Sequence, residues 1–186
     1  MTEAPMAGGM RRAIRAISAL STWSGRVGAL VVTPLVIAMV YEVLSRYLFD
    51  APTQWAFEVS YMLMGCVFLL GVSYALAVDA HVRVDFIHQR APKRLTAAWD
   101  GICYVVLTGL FVWLTWALAG NAIKVMETGE TTGLSAWNPP VWPYRLVYVA
   151  GFGLLALQSF ARILGCVLVL MGEDEPAAPH QPEGAA

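Results

Sequence analysis

The chain has 186 residues, of which 58% are hydrophobic and 13% are charged, and this charged share is about half that of an ordinary soluble domain. A formal net charge of −1 argues against a nucleic-acid partner, which requires a basic surface, and a mean hydropathy of +0.60 leaves too little polar surface for a soluble enzyme of this size.

Four apolar stretches without a charged residue predict an all-α membrane protein with four transmembrane helices. Extended by its flanks, each stretch reaches the roughly 20 residues that a helix needs to cross about 30 Å of hydrocarbon. The stretches are residues 27–41, 59–78, 101–123 and 146–161.

The N-terminal segment has an amphipathic pattern. Over residues 10–23, apolar side chains recur on one helical face, whereas Arg11, Arg12 and Arg15 gather on the other. This predicts an interfacial helix in the headgroup layer, with its basic face towards anionic lipid, inside a cytoplasmic segment 1–25. An ordinary basic tail beside the membrane is the alternative. No small-residue cleavage site follows the arginines, so we expect no removable signal peptide.

The four spans are predicted to form one domain over residues 26–172. Pro34 is expected to bend the first span, and Thr53 is a candidate N-cap for the second. The acidic, Pro- and Ala-rich residues 173–186 are expected to be a disordered cytoplasmic tail. The expected bounds of the spans are 27–47, 53–78, 98–123 and 144–171.

The distribution of basic residues predicts the orientation of the chain. Lys and Arg are concentrated in the N-terminal segment and in the connector 79–97, whereas the first outer connector has none and the second has only Lys124. Because short cytoplasmic segments are enriched in Lys and Arg, both termini are expected on the cytoplasmic side.

Three ionisable residues lie inside the predicted spans near the outer end, namely Glu42, Arg46 and Glu58. Such residues are costly in a membrane, so we expect Arg46 to be shared by the two carboxylates. Three roles remain open: a lock between the first two spans, a contact with a partner protein, or a proton- or cation-coupling carboxylate. The third role fits least, since coupling sites usually lie near the midplane in broken helices.

No catalytic, metal or cofactor motif is recognisable. His81, Arg83 and Asp85 alternate with apolar residues in the second connector, which favours a polar anchoring surface. A metal site there is weak, because His88 is the only further nearby ligand, and no histidine lies in a span to hold haem. The three cysteines lie in apolar runs without a close pair, so neither a disulfide nor a zinc site is expected. We therefore expect no enzyme activity.

Several segments in a fixed order resemble the small membrane subunit (DctQ-like) of tripartite ATP-independent periplasmic (TRAP) transporters. The resemblance covers roughly residues 26–172. The segments that carry it are Glu42-x-x-x-Arg46-Tyr47-x-Phe49, Pro52-x-x-Trp55-x-x-Glu58, His81-Val-Arg-Val-Asp85, Pro139-Pro-Val-Trp-Pro143 and Gly151-Phe-x-Leu-Leu-x-Leu-Gln158.

The resemblance implies a subunit of a secondary transporter in a bacterial inner membrane. In this family a large membrane subunit carries the substrate and cation sites, and a soluble periplasmic binding protein captures the ligand, usually a carboxylate-bearing organic acid. The small subunit scaffolds the large one, so no substrate-binding residue is expected here. Candidate structural or subunit-interface residues are Glu42, Arg46, Trp55, Glu58, His81, Arg83 and Asp85.

Two further expectations concern helix packing and an alternative function. Gly65, Gly71, Gly109 and Gly151 are expected to allow close helix approach. The alternative function is a small autonomous exporter that exchanges protons for drug cations through Glu42. The expected Arg46 pairing and the outer depth of Glu42 disfavour it.

Overall fold

The computed structural model describes residues 5–78 and 92–173, which form four helices. Each helix is long and apolar enough to cross a membrane, as the four apolar stretches predicted. The described residues contain no β-strand, only one isolated β-bridge between Thr131 and Pro140. The helices are α1 (Pro5–Leu48), α2 (Ala56–Ala77), α3 (Lys93–Thr128) and α4 (Trp142–Leu170).

Helix α1 is much longer than the predicted first span. Its 44 residues extend about 66 Å at roughly 1.5 Å per residue, about twice the thickness of the hydrocarbon layer. Residues 10–23 lie near the start of this helix and continue without a break into the first span, and their place in the headgroup layer stays a prediction. Pro34 lies within α1, and the helix continues through it.

Neither α2 nor α4 begins with a capping hydrogen bond from a side chain. Helix α2 begins at Ala56, after an N-cap Trp55 whose side chain makes no capping hydrogen bond, so the assignment of Thr53 as the N-cap is wrong. Helix α4 begins one residue before Pro143, and proline is tolerated there because the first helical N–H groups have no acceptor within the helix.

Helix α4 lies at the centre of the arrangement and packs against each of the other three helices. Helices α1 and α2 form one antiparallel pair, and α3 and α4 form the other. Among the described helices α3 touches only α4, so the four helices form an open assembly in place of a closed bundle. Most of the α3 surface is therefore not covered by the other described helices.

Close helix approach occurs at some of the predicted glycines. A Cβ atom on Gly151 would lie 2.8 Å from Leu69 Cβ, and one on Gly65 would lie 3.0 Å from the Tyr148 hydroxyl. At Gly71 and Gly109 a Cβ atom would meet nothing within 4 Å, so these two expectations are wrong. Helices α1 and α2 also approach closely at Gly25, where a Cβ atom would lie 2.5 Å from the Tyr74 ring.

Candidate functional site at the outer ends of the helices

We call the helix ends that the sequence predicts to lie away from the cytoplasm the outer ends, and the opposite ends the inner ends. The first connector is held to α1 by Glu42. Its Oε1 accepts hydrogen bonds from Arg46 Nη2 at 2.5 Å and from Arg46 Nε at 3.0 Å, which confirms the predicted ion pair. Its Oε2 accepts from the Thr53 backbone N–H at 3.0 Å and also from the Thr53 hydroxyl. Both carboxylate oxygens are thus used within α1 and its connector.

A tight turn and an aromatic pair complete this corner. Ser45 donates its hydroxyl to the Ala51 carbonyl at 2.5 Å, and the Ala51 N–H donates back to the Ser45 carbonyl at 3.1 Å. Asp50 has a φ of 47°, a left-handed conformation that aspartate tolerates better than most residues. Trp55 stacks on Tyr41 with ring centroids 5.8 Å apart. The connector between α1 and α2 is therefore held by the hydrogen bonds of Ser45 with Ala51 and by the stacking of Trp55 on Tyr41.

Glu58 belongs to a separate cluster. Its Oε2 accepts a 2.8 Å hydrogen bond from the Thr132 hydroxyl. The ion pairs among the described residues are Arg11 with Glu173 and Arg46 with Glu42, so Glu58 has no ion-pair partner among them. The predicted sharing of Arg46 by both carboxylates is therefore wrong for Glu58. This residue is 1% exposed, and its Oε1 is buried without a hydrogen-bond partner. Because a buried carboxyl without hydrogen bonds costs free energy, the bond from Thr132 contributes strongly to keeping Glu58 buried.

Thr132 belongs to an ordered hairpin between α3 and α4, which we call the outer hairpin (residues 129–141). Backbone hydrogen bonds of 3.1 Å join Thr132 N–H to the Pro139 carbonyl and Val141 N–H to the Glu130 carbonyl. Asn138 Oδ1 accepts from the Gly133 N–H at 2.7 Å and braces the tip. The Glu58 contact seats the outer hairpin on the start of α2.

Below this cluster, three tyrosines fill the space between α2 and α4. Tyr61 and Tyr144 pack with ring centroids 5.6 Å apart, and the Tyr144 and Tyr148 hydroxyls share a hydrogen bond. Gly65 leaves room for both tyrosines of α4. The cluster is partly apolar and partly polar, as is typical of aromatic residues near the end of a span.

A second polar cluster lies at the inner half, where sequence analysis predicted none. Gln158 is 1% exposed, accepts a 2.9 Å hydrogen bond from the Ser21 hydroxyl, and donates to Ser18 Oγ at 3.4 Å. The signals were a glutamine within an apolar span and serines at three-residue spacing, Ser18, Ser21 and Ser24. The serine face packs on α4.

Two arginines tie the inner ends of the helices together. Arg162 donates to the Leu76 carbonyl at 2.7 and 3.1 Å and to the Ala77 carbonyl at 3.1 Å, at the C-terminal end of α2 where carbonyls lack partners within the helix. Arg11 pairs with Glu173 at 3.1 Å. The predicted membrane-facing Arg11 therefore also holds the start of α1 against the end of α4.

The remaining predicted residues divide into two groups. Arg12 and Arg15 are exposed on α1. His81, Arg83 and Asp85 lie outside the described residues. Within the ranges 5–78 and 92–173, no group of three or more His, Cys, Asp or Glu residues is placed to hold a metal ion.

Comparison with known proteins identifies the family. The family profile described as "Tripartite ATP-independent periplasmic transporters, DctQ component" matches residues 35–168, most of the chain. The chain is 30% identical over 79 residues to the sialic acid TRAP transporter permease protein SiaT of Haemophilus influenzae (strain 86-028NP). This match spans 42% of the chain but only 12% of that relative. No solved structure matches. The chain belongs to the DctQ component family of TRAP transporters.

Proposed function

We propose that this chain is the small membrane subunit of a TRAP transporter and acts as a scaffold for a large membrane subunit. The observation that carries the proposal is the position of α3. This helix packs only on α4 among the described helices, and none of the residues in its most apolar window is buried. A large partner and lipid can share such a surface, whereas the chain alone leaves it uncovered.

The candidate interface lies at the outer corner built by Glu42, Arg46 and Trp55, whereas the buried Glu58 is proposed to have a structural role beside it. The Arg46 side chain is 56% exposed although its Glu42 partner is 15% exposed, so the guanidinium has room for a second acceptor. Trp55 and the residues around it present an aromatic, partly polar surface of the kind that subunit contacts use. His81, Arg83 and Asp85 are proposed to contact the large subunit at the opposite end.

The transported ligand is proposed to be a carboxylate-bearing organic acid that a periplasmic binding protein delivers and that a cation gradient drives inward. The name of the similar permease, which refers to sialic acid, supports an organic acid. The described part of the chain offers no cluster that would bind such a ligand, so the substrate and cation sites are assigned to the large subunit.

We further propose that the chain lies in a bacterial inner membrane with both termini in the cytoplasm. Exposed Arg12 and Arg15, together with Arg11, would face anionic headgroups there. A reporter that is active only in the cytoplasm, fused after Glu173, should be active, and the same reporter inserted at Gly133 should be silent. The reverse pattern would overturn the orientation.

Co-purification tests the scaffold proposal. The tagged chain is expressed with and without its large subunit, purified in mild detergent, and assayed in vesicles with the binding protein. A stable one-to-one complex, and uptake only with all components, is the expected result. A solitary chain that moves a drug cation against a proton gradient would instead establish an exporter, which the Glu42 bonds to Arg46 and Thr53 disfavour.

A further inference from the structure

An open groove runs between the inner halves of α3 and α4. Its volume is about 380 Å³, within the range of small-molecule sites, and its lining is apolar. Alanines and a glycine form the α3 wall near the inner end, and branched residues continue it towards the membrane centre. Representative lining residues are Ala97, Ala98, Gly101, Val105, Cys166 and Leu170.

A positive charge lies at the inner end of this groove. Arg94 precedes Ala98 and Gly101 by four and seven residues, so the three share one stripe of α3. Its Nη2 reaches the end of α4, 3.9 Å from the position that a Cβ atom on Gly172 would occupy. Arg94 is exposed and forms no ion pair with a described carboxylate.

The groove presents a charge followed by apolar surface, which is the order of the headgroup and the acyl chains in a phospholipid. From the inner end outward, the stripe presents a guanidinium, then small residues, then branched apolar residues. Trp99, which is 59% exposed beside the groove, is a residue type that favours the membrane–water interface. Arginine binds phosphate through paired N–H donors, and basic pockets between helices bind anionic headgroups.

We propose that this groove binds one anionic phospholipid, with its phosphate on Arg94 and one acyl chain along Gly101 and Val105. The inference does not depend on the transporter assignment. The small side chains explain why the groove stays open: a Cβ atom on Gly101 would lie 3.6 Å from Cys166 Cβ, in ordinary contact, whereas a longer side chain must enter the groove.

Native mass spectrometry of the purified full-length chain, titrated with phosphatidylglycerol or with phosphatidylcholine of the same acyl chains, tests the proposal. We expect one phosphatidylglycerol per chain to be retained about tenfold more strongly than phosphatidylcholine, since a charge-assisted contact accounts for a difference of that size. Equal retention of the two lipids would overturn the headgroup assignment.

Two variants with matched controls test the position of the site. Gly101→Leu fills the groove and should abolish the strong binding, whereas Gly120→Leu, in open space at the far end of the same helix, should leave it unchanged. Arg94→Gln should weaken phosphatidylglycerol binding about tenfold, while the exposed Arg26→Gln should not. If Gly101→Leu fails to fold, Arg94→Gln decides the question.

A different occupant would give a different pattern. If the purified complex with the large subunit retains no phosphatidylglycerol and Gly101→Leu prevents its assembly, the groove is a protein-binding surface and the proposal is wrong. Unchanged phosphatidylglycerol binding in both Gly101→Leu and Arg94→Gln would also overturn it.

Discussion

Thr132 donates a 2.8 Å hydrogen bond from its hydroxyl to Glu58 Oε2, across 74 residues of sequence. The contact joins the outer hairpin to the first turn of α2. Because Glu58 is 1% exposed and its Oε1 has no partner, this one hydroxyl contributes much of the polar environment of a buried carboxyl. The position of the hairpin and the burial of Glu58 therefore depend on each other.

Thr132→Val should loosen the outer hairpin. The substitution keeps the shape of the side chain but removes the donor, which costs about 1–3 kcal/mol for a buried polar group left unsatisfied. Hydrogen exchange of residues 129–141, followed by mass spectrometry, should accelerate about tenfold. Thr128→Val is the matched control, since the Thr128 hydroxyl bonds only within its own helix. Equal exchange in the two variants would show that the Glu58 contact does not hold the hairpin.

Arg46→Ala should lower uptake by weakening assembly with the large subunit. The Arg46 side chain is largely exposed and Glu42 keeps its bonds to Thr53, so the melting temperature of the isolated chain should change little. The yield of co-purified large subunit is the decisive measurement, with Arg26→Ala as the control. Normal yield and stability together with lost uptake would place Arg46 in transport itself.

Gly151→Ala should destabilise the contact between α2 and α4. The added Cβ atom would lie 2.8 Å from Leu69 Cβ, and Leu69 is buried, so the helices must separate at a cost of about 1–3 kcal/mol. Gly109→Ala on α3 meets open space and should instead stabilise the chain by about 0.5–1 kcal/mol through its higher helix propensity. Melting temperatures in one detergent compare the two, and a harmless Gly151→Ala would contradict the observed packing.

Ser21→Ala should destabilise the inner pairing of α1 and α4 by about 0.6 kcal/mol, the typical size of such a contact between membrane helices, or by more if Gln158 finds no other donor. Gln158→Leu removes both the acceptor for Ser21 and the donor to Ser18, so adding Ser21→Ala to it should cost little further. A double-mutant cycle on melting temperature measures this coupling. Strict additivity would mean that the hydrogen bond contributes nothing to stability.

The apolar pattern determined the membrane class of the chain and the four helices, because any backbone crossing hydrocarbon must satisfy its hydrogen bonds internally. The ion pair of Glu42 with Arg46 was equally predictable, since residues four apart on a helix are neighbours. The family could also be identified from segments in order along the chain. All of these features depend on local spacing.

Contacts between distant residues were decided by the tertiary structure. The outer hairpin supplies Thr132 to Glu58, and α4 supplies Gln158 to Ser21, over separations of 74 and 137 residues. No periodicity encodes which polar side chains meet across helices, because many pairings bury similar apolar area. The glycines at open positions, Gly71 and Gly109, illustrate the same limit. A glycine permits close approach, but only the packing of a neighbouring helix determines where that approach occurs.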